Sequence, residues 1–328
     1  PDGKYICFTS DAAGGDNVWI MKKDGSDAKQ VTKENFRLLN SPVWSSDGQY
    51  IIARKHFTSR RSLGAGELWM YHTSGGEGVQ LTKRKNDQQD LGEPSVSKDG
   101  RYVYYSEDMY PGGYFQYNKD PNSQIYVVKR YDLKKGEIET VTGGAGSACR
   151  PQISKDGKTL AFIKRVHTKT VLYLRTLETG EEWPVYDGLT KDQMEAWAIF
   201  GTYPNFTWLN EKEILIWAQG KIRKVDVTKS NSAVDIAFSA KCKHRLYDAL
   251  KFKQDAAPDK FSVKVIRHAV SSPDEKTLVF SAAGYLYKKN LPDGKPERLT
   301  TGTDFEFEPA FSANGSELVY VSWNDDET

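Results

Sequence analysis

A short motif recurs through the chain and constrains its fold more than any other feature of the sequence. The motif reads proline, two variable residues, serine, one variable residue, aspartate or asparagine, and glycine. Four copies lie at residues 42–48, 94–100, 151–157 and 309–315, and two degenerate copies lie at 205–211 and 269–275. Self-similarity of this kind is typical of repeat architectures, so the repeat decides the fold class.

The residues around each motif have the pattern of antiparallel strands. The Asp-Gly pair is a hairpin turn signal between two apolar stretches, the second of which is residues 50–53 in the copy at 42–48. A third stretch places Ile or Leu next to Tyr or Trp, as at 68–71, and the fourth ends on an apolar residue and a threonine, as at 81–82. Four consecutive strands per unit, without an amphipathic helix, predict an all-β fold, a β-propeller of four-stranded antiparallel blades.

The number of copies sets the expected number of blades. Blades are predicted to begin near residues 42, 94, 151, 205, 269 and 309, and the second strand appears seven times between residues 4 and 321. This count predicts seven repeats in a single domain over residues 1–328, with the terminal repeats incomplete. A six-bladed closed ring is the alternative. Because residues 1–3 match the end of a motif, we expect the chain to be a segment of a longer protein.

The charge balance argues against one class of partner. The chain has 46 Lys and Arg against 44 Asp and Glu, so its formal charge of +2 gives no electrostatic case for nucleic-acid binding. No apolar run approaches the ~20 residues that a membrane span needs. The cysteines Cys7, Cys149 and Cys242 are widely spaced and do not form a metal-binding pair. We therefore expect neither a nucleic-acid partner nor a membrane span.

The repeat resembles that of TolB-type β-propellers. This resemblance rests on the motif, the apolar strand after it, the stretch with Tyr or Trp and the terminal threonine, and it covers nearly the whole chain. Longer strings resemble the propeller that precedes a metal-dependent amidohydrolase barrel in large bacterial hydrolases. Those strings are residues 14–19, 53–58, 62–67, 118–122 and 220–226.

The second resemblance implies that catalysis and substrate access are functions of different domains. It implies that a downstream catalytic domain in the same polypeptide, or a protein partner, carries out hydrolysis while the propeller supports or covers the active site. It implies no cofactor in this chain and a divalent metal in the catalytic domain, since no metal-ligand motif of such a barrel occurs in these residues. It also implies a periplasmic or secreted location.

One face of the predicted propeller carries the longer connections. Strand parity places residues 54–66, 106–123, 184–203 and 240–267 on that face, which is where binding residues usually lie. Cations beside aromatic residues in the first two segments suit an anionic ligand or an acidic partner surface. The candidate binding residues are His56, Arg60, Arg61, Tyr114, Tyr117 and Lys119. The alternative is a hydrogen-bonded pair of loops packed against a neighbouring domain.

No catalytic or metal-binding residue is predicted from spacing. None of the five histidines forms a zinc-binding pair, although His56 and His167 both follow second strands and are candidates to approach each other. The serine and aspartate of the motif recur in several copies, so they are expected to form turns rather than to act as nucleophile and acid.

Three functions therefore remain open at this level. The first is a non-catalytic scaffold or substrate-gating propeller associated with a metal-dependent amidohydrolase. The second is a free-standing TolB-type propeller that binds a protein partner. The third is a propeller lyase with a metal site on the face of the long connections.

Overall fold

The computed structural model describes residues 1–35, 38–58, 64–109, 119–196, 200–248 and 255–326. These residues contain 25 β-strands, all paired antiparallel, and none of them forms an α-helix. No helix able to cross a membrane is therefore found in the part of the chain that is described. The chain divides into two compact units, Pro1–Ala240 and Lys241–Thr328.

Unit 1 contains five sheets, each built from strands that are consecutive in the chain. The first sheet has three strands, which are β1 (Tyr5–Ser10), β2 (Asn17–Lys22) and β3 (Lys29–Gln30). The second sheet has four strands, which are β4 (Leu38–Trp44), β5 (Tyr50–Thr58), β6 (Gly64–His72) and β7 (Val79–Gln80). The third sheet also has four, which are β8 (Leu91–Val96), β9 (Tyr102–Asp108), β10 (Tyr126–Asp132) and β11 (Glu137–Thr142). The fourth sheet comprises β12 (Cys149–Ile153), β13 (Thr159–Val166), β14 (Lys169–Thr176) and β15 (Glu182–Tyr186). The fifth sheet comprises β16 (Thr207–Asn210), β17 (Glu213–Ala218), β18 (Lys221–Asp226) and β19 (Ala233–Ile236).

Unit 2 contains one four-stranded sheet and one hairpin. The sheet is formed by β20 (Arg267–Ser271), β21 (Thr277–Ala282), β22 (Tyr285–Asn290) and β23 (Glu297–Arg298), and the hairpin by β24 (Phe305–Phe311) and β25 (Leu318–Trp323). The described residues thus form seven sheets, of which the first and last are incomplete. The all-β propeller prediction is confirmed, and so is the expectation of seven repeats with incomplete ends.

The motif folds into the same turn in the five copies that contain the serine. In β8–β9 the Ser97 hydroxyl donates to Asp99 Oδ1 at 2.5 Å and accepts from the Tyr102 amide at 2.9 Å. The hydrogen bond from Ser97 lowers the pKa of Asp99. Equivalent pairs of bonds are made by Ser45, Ser154, Ser272 and Ser312. The expectation that this serine and aspartate form turns is confirmed.

In the first two sheets the recurring threonine closes the other end of the unit. Thr32 follows the short strand β3, and its Oγ1 accepts a hydrogen bond from the Val18 amide of β2 at 2.9 Å. Thr82 does the same for the Leu68 amide of β6. The apolar residue before each threonine is then directed inward, so Val31 is only 5% exposed.

Apolar side chains alternate along the strands and fill the space between neighbouring sheets of unit 1. The largest cluster includes Tyr126, Ile163, Leu172, Trp208 and Ile216, which come from three sheets. Burying side chains of this size stabilises a fold by about 1.5–3 kcal/mol each. The aromatic residues that recur in the repeat pack in this way, because Tyr126 and Phe162 are buried and Trp44 and Trp69 pack against a second cluster.

A bulge interrupts the first strand of most sheets, immediately before the motif. The strand register shifts there in β4, β8, β12, β20 and β24. One residue in each bulge is left-handed, with φ of 51° at Ser41, 58° at Glu93 and 53° at Arg150. Such a conformation is uncommon for residues with a side chain, and it redirects that side chain relative to the rest of the strand.

Replacing Ser97 by alanine is expected to lower the free energy of unfolding by about 1–2 kcal/mol, because the Tyr102 amide and the Asp99 carboxylate each lose a partner. The pKa of Asp99, followed by NMR titration, should rise toward its ordinary value. Ser230, whose side chain is exposed, is the control. Equal unfolding curves for Ser97→Ala and Ser230→Ala would contradict the structural role of the hydroxyl.

Candidate functional site

A cluster of charged side chains is buried in unit 1, near the ends of strands β5, β8, β9 and β12. We call it the buried charge cluster. Each member is at most 8% exposed, although charged groups are rarely buried unless they are paired. Its members are Arg54, Asp90, Glu93, Asp108, Lys119 and Arg150.

Arg54 and Asp90 form the first pair of the cluster. Arg54 Nη2 lies 2.6 Å from Asp90 Oδ1, and Arg54 Nε donates to the Leu91 carbonyl at 2.9 Å. The fit is tight, because a Cβ at either Gly66 or Gly92 would lie 2.6 Å from an Arg54 side-chain atom. Burial raises the pKa of Asp90, and the guanidinium of Arg54 opposes that effect.

Tyr126 completes the surroundings of this pair. Its hydroxyl donates to Asp90 Oδ2 at 3.3 Å. Burial raises the pKa of Tyr126 well above its ordinary value, so the phenol stays protonated and serves as a neutral donor. Both oxygens of Asp90 are therefore engaged, one by a cation and one by a hydroxyl.

Glu93 links two sheets of unit 1 and the connection before β16 through its two carboxylate oxygens. Oε2 accepts from the Ser106 hydroxyl at 2.5 Å and from the Arg150 amide at 2.8 Å. Oε1 accepts from the Thr202 amide at 2.5 Å and from the Thr202 hydroxyl at 2.9 Å. Because Ser106 lies on β9, Arg150 on β12 and Thr202 just before β16, one carboxylate fixes the relative position of these elements.

Lys119 and Asp108 form the deepest ion pair of the cluster. Lys119 Nζ lies 2.5 Å from Asp108 Oδ2, and the two side chains are 3% and 1% exposed. The ammonium also lies 6.0 Å from the centre of the Tyr126 ring. The segment before β10 is thereby attached to the end of β9.

Arg150 is buried with less compensation. Its side chain is 7% exposed, and its Nη1 approaches Glu93 Oε1 only to 3.8 Å. Its Nε has no hydrogen-bond partner among the described residues. Burial lowers the pKa of Arg150, and the Glu93 carboxylate opposes that effect.

A small cavity of about 10 Å³ lies inside the cluster, which is room for about one water molecule. Arg54, Asp90, Glu93, Tyr126 and Thr202 contribute to its wall. Among the described residues, no group of three or more His, Cys, Asp or Glu side chains is arranged to hold a metal ion.

The structure buries two of the residues that the sequence predicted for binding. His56 is fully buried on β5, with its Nδ1 3.2 Å from Arg54 Nη1. Lys119 is buried against Asp108. The other four predicted residues, Arg60, Arg61, Tyr114 and Tyr117, lie outside the described residues, so binding at those positions stays a prediction.

The predicted connection over residues 54–66 was wrong in its extent. Strand β5 continues to Thr58 and β6 begins at Gly64, so His56 pairs with Gly66 inside a sheet. The charged residues suggested a solvated loop, but Arg54 and Lys55 are paired with Asp90 and Glu34, which lie in connections between other strands. A sequence pattern does not show such long-range pairing.

Glu93 and Arg150 were missed by the sequence analysis, although a signal for them exists. Both occupy the position immediately before the motif proline, as do Ser41 and Glu308. The motif is retained from copy to copy while this position changes between hydroxyl, acid and base. A variable residue beside an invariant turn is a good candidate for a role outside the fold itself.

Comparison with known proteins identifies the fold. A TolB from Acinetobacter baumannii superposes with a TM-score of 0.52 at 15% identity, covering 98% of this chain and 65% of that chain. The chain has a TolB-like β-propeller fold. An oligogalacturonate lyase from Vibrio parahaemolyticus aligns with 97% of the chain and 83% of its own length, with a TM-score of 0.47 and 13% identity. No protein-family model matches the sequence.

A sequence relative matches part of this TolB-like propeller. It is a Bacillus subtilis (strain 168) protein named uncharacterized peptidase YuxL, which is 26% identical over 163 residues. The match covers 49% of this chain and 20% of that protein. The chain therefore spans less than two thirds of both TolB and YuxL.

Replacing Arg54 by leucine is expected to destabilise unit 1 by about 3–5 kcal/mol, because it leaves the Asp90 carboxylate buried without a cation. The control is Lys221→Leu, which removes a pair with Asp235 between two exposed side chains and should leave the unfolding curve nearly unchanged. Denaturant unfolding measures both. In the double variant Arg54→Leu with Asp90→Leu, part of the loss should be recovered, and a cost equal to that of the control would contradict the role of the pair.

Proposed function

We propose that the chain is a non-catalytic propeller that binds and gates substrates for a hydrolase. The observation that carries this proposal is the hydrogen bonding of Glu93, whose two oxygens accept four hydrogen bonds. A carboxylate has about four acceptor positions, so this one has no lone pair left to take a proton from a substrate. Its hydrogen bonds suit a role in fixing the positions of neighbouring residues better than a role as a general base.

The other charged groups of the cluster support the same role. Asp90 and Asp108 are each held by a cation, and the motif serines are held in turns. A rigid polar site of this kind positions a ligand without a large entropy loss in the protein. Binding and orientation are thus the functions that these residues serve best.

The hydrolase association rests on two resemblances. The strings at 14–19 and 53–58 resemble the propeller of large bacterial amidohydrolases, and the relative over 163 residues carries the name of a peptidase. The matched segment makes up 20% of that relative, so most of the relative lies outside the match. We propose that a catalytic domain in the same polypeptide, or a partner protein, carries the divalent metal and the reaction.

The proposal extends to location and to the contact surface. A periplasmic or secreted setting is proposed from the resemblance to TolB-type proteins. Arg60, Arg61, Tyr114 and Tyr117 are proposed to contact the catalytic domain or its substrate, since cations and aromatic side chains suit an anionic group.

The purified chain alone is expected not to hydrolyse amide or ester substrates, with or without added zinc or manganese. The control is the longer polypeptide that contains the chain, which should be active. Deleting residues 1–328 from that polypeptide should raise kcat/KM for a folded protein substrate and leave kcat/KM for a small chromogenic substrate unchanged. Equal effects on both substrates would contradict gating, and metal-dependent turnover by the chain alone, abolished by His56→Ala or His167→Ala, would support the lyase alternative.

The variants Arg60→Ala and Tyr117→Ala are expected to weaken substrate processing in the longer polypeptide while changing the melting temperature of the propeller little. A side chain that contacts only a ligand or another domain contributes little to packing within the propeller, so the proposal requires the melting temperature to stay nearly constant. Calorimetry and steady-state kinetics on the same preparations separate the two effects. If both variants unfold the propeller and leave processing per folded molecule unchanged, these residues are structural.

A further inference from the structure

We propose that a groove between the third and fourth sheets of unit 1 binds a neutral saccharide. The groove, which we call the inter-sheet groove, has a volume of about 810 Å³, within the range of small-ligand sites. The proposal goes beyond the proposed function and does not depend on association with a hydrolase. The side chains that carry it are Lys98, Asp99, Tyr102, Asp156, Lys158 and Leu177, all of which line the groove.

The motif glycine on the wall of the inter-sheet groove faces open space. A Cβ at Gly157 would meet no atom of the described residues within 4 Å, whereas a Cβ at the equivalent Gly100 would overlap the Ser46 hydroxyl oxygen. A smaller groove of about 560 Å³ lies between the first and second sheets, and there Pro1 lies 3.5 Å from the position of a Cβ at Gly48. The inter-sheet groove is therefore the roomier and less obstructed of the two.

The two motif turns beside the groove supply carboxylate acceptors in fixed positions. Asp99 Oδ1 and Asp156 Oδ1 each accept from the hydroxyl of their own motif serine, at 2.5 and 2.6 Å, and from a backbone amide, at 3.1 and 3.0 Å. The serine hydroxyl is the main reason that the pKa of each aspartate is lowered, so both are ionised at neutral pH. Oδ2 of each carboxylate accepts no hydrogen bond from a described residue, which leaves it as a preorganised acceptor for a ligand.

Lysine side chains supply donors from both sheets. Lys98 belongs to the motif of the third sheet and Lys158 follows the motif of the fourth, and both are exposed. Neither forms an ion pair within the part of the chain that is described, so both ammonium groups are available to a ligand. Arg130 is paired with Glu139 and lies 4.5 Å from the centre of the Tyr102 ring, so it fixes the aromatic wall of the groove.

The charge of the lining selects a neutral ligand. Its charged side chains are three cations and three acids, namely Lys98, Arg130, Lys158, Asp99, Asp156 and Glu178. An anion would meet the three carboxylates, and a cation would meet the three basic groups. A saccharide hydroxyl both donates and accepts, so it can use the carboxylates and the ammonium groups together. Tyr102 and Leu177 offer apolar surface to the carbon-bound hydrogens of a sugar ring.

An extended peptide fits the groove less well. The lining residues that lie in strands belong to β9, β10 and β14, and each of these strands is paired on both sides. Addition of a peptide strand requires a free sheet edge, which these inner strands do not offer. Recognition in the groove therefore depends on side chains, as it does for a saccharide.

The test compares ligands of different charge and class on the purified chain, with binding measured by calorimetry. The neutral probes are maltotriose, cellotriose and triacetylchitotriose, which differ in linkage and substituents. Trigalacturonic acid is the anionic probe, chitotriose the cationic probe and acetyl-trialanine amide the peptide probe. Wild-type protein should bind at least one neutral trisaccharide more tightly than any of the other three probes.

The variant Asp156→Asn separates the acceptor from the turn. Asparagine supports the same turn in another motif copy, where Asn314 Oδ1 accepts from the Ser312 hydroxyl at 2.8 Å and from the Ser316 amide at 3.1 Å. The change replaces Oδ2 by a donor, so it should weaken trisaccharide binding by about tenfold to a hundredfold, the range for hydrogen bonds to a charged group. The matched control, Asp274→Asn, makes the same change in a motif outside the groove and should bind like wild type.

A second pair of variants tests the donors. Lys158→Ala should also weaken binding of the trisaccharide by about tenfold or more. Lys276→Ala, at the equivalent position after the motif copy at 269–275, is the control and should leave binding unchanged. Because the Lys158 side chain is exposed, this pair decides the proposal if Asp156→Asn fails to fold.

Three results would overturn the proposal: no binding of any neutral trisaccharide by wild type, equal binding by wild type and both groove variants, or a charged sugar or the peptide binding at least as tightly. Each leaves the hydrolase association untouched, since that is judged from the effect of deleting the propeller on hydrolysis. Conversely, a chain that binds a saccharide in the inter-sheet groove but gates no hydrolase would retain this site and lose the proposed function.

Discussion

The hydrogen bonds within the motif turn are the interaction on which the rest of the structure depends. A serine hydroxyl that donates to the aspartate and accepts from an amide five residues after the serine fixes the hairpin between the first two strands of a blade. Because the same bonds recur in five motif copies, the register of each first strand is set locally. Register decides which face of a strand is apolar, so the packing between neighbouring sheets follows from this turn.

The bulge before each turn links the scaffold to the candidate site. A left-handed residue at this position breaks the alternation of side chains between the two faces of the strand. Its side chain therefore does not have to pack between neighbouring sheets. Ser41, Glu93 and Arg150 show how the position then accepts different chemistry from one sheet to the next. The repeat conserves the backbone conformation while the side chain varies.

Burial gives the charged residues of unit 1 a structural role in place of the binding role that their sequence suggests. Arg54, His56 and Lys119 have the composition of an exposed binding loop, yet they lie inside a network in which acids and bases neutralise one another. A network whose carboxylates are fully hydrogen-bonded is rigid, and removing one member leaves a buried charge behind. Arg150 is held less closely than the other cations of the cluster, since its nearest carboxylate oxygen, Glu93 Oε1, lies 3.8 Å from Nη1.

The sequence by itself determined the repeat, the four-strand unit, the turn at each motif and the incomplete first and last sheets, because all of these depend on residues close together in the chain. Only the tertiary structure decided the candidate site. Glu93 meets Thr202 across 109 positions and Arg54 meets Asp90 across 36. Such pairs leave no periodic signal, and a charged residue has the same appearance in a sequence whether it is solvated or paired. The length of β5 was mispredicted for this reason, since its charged end is neutralised by a partner that only the fold brings near.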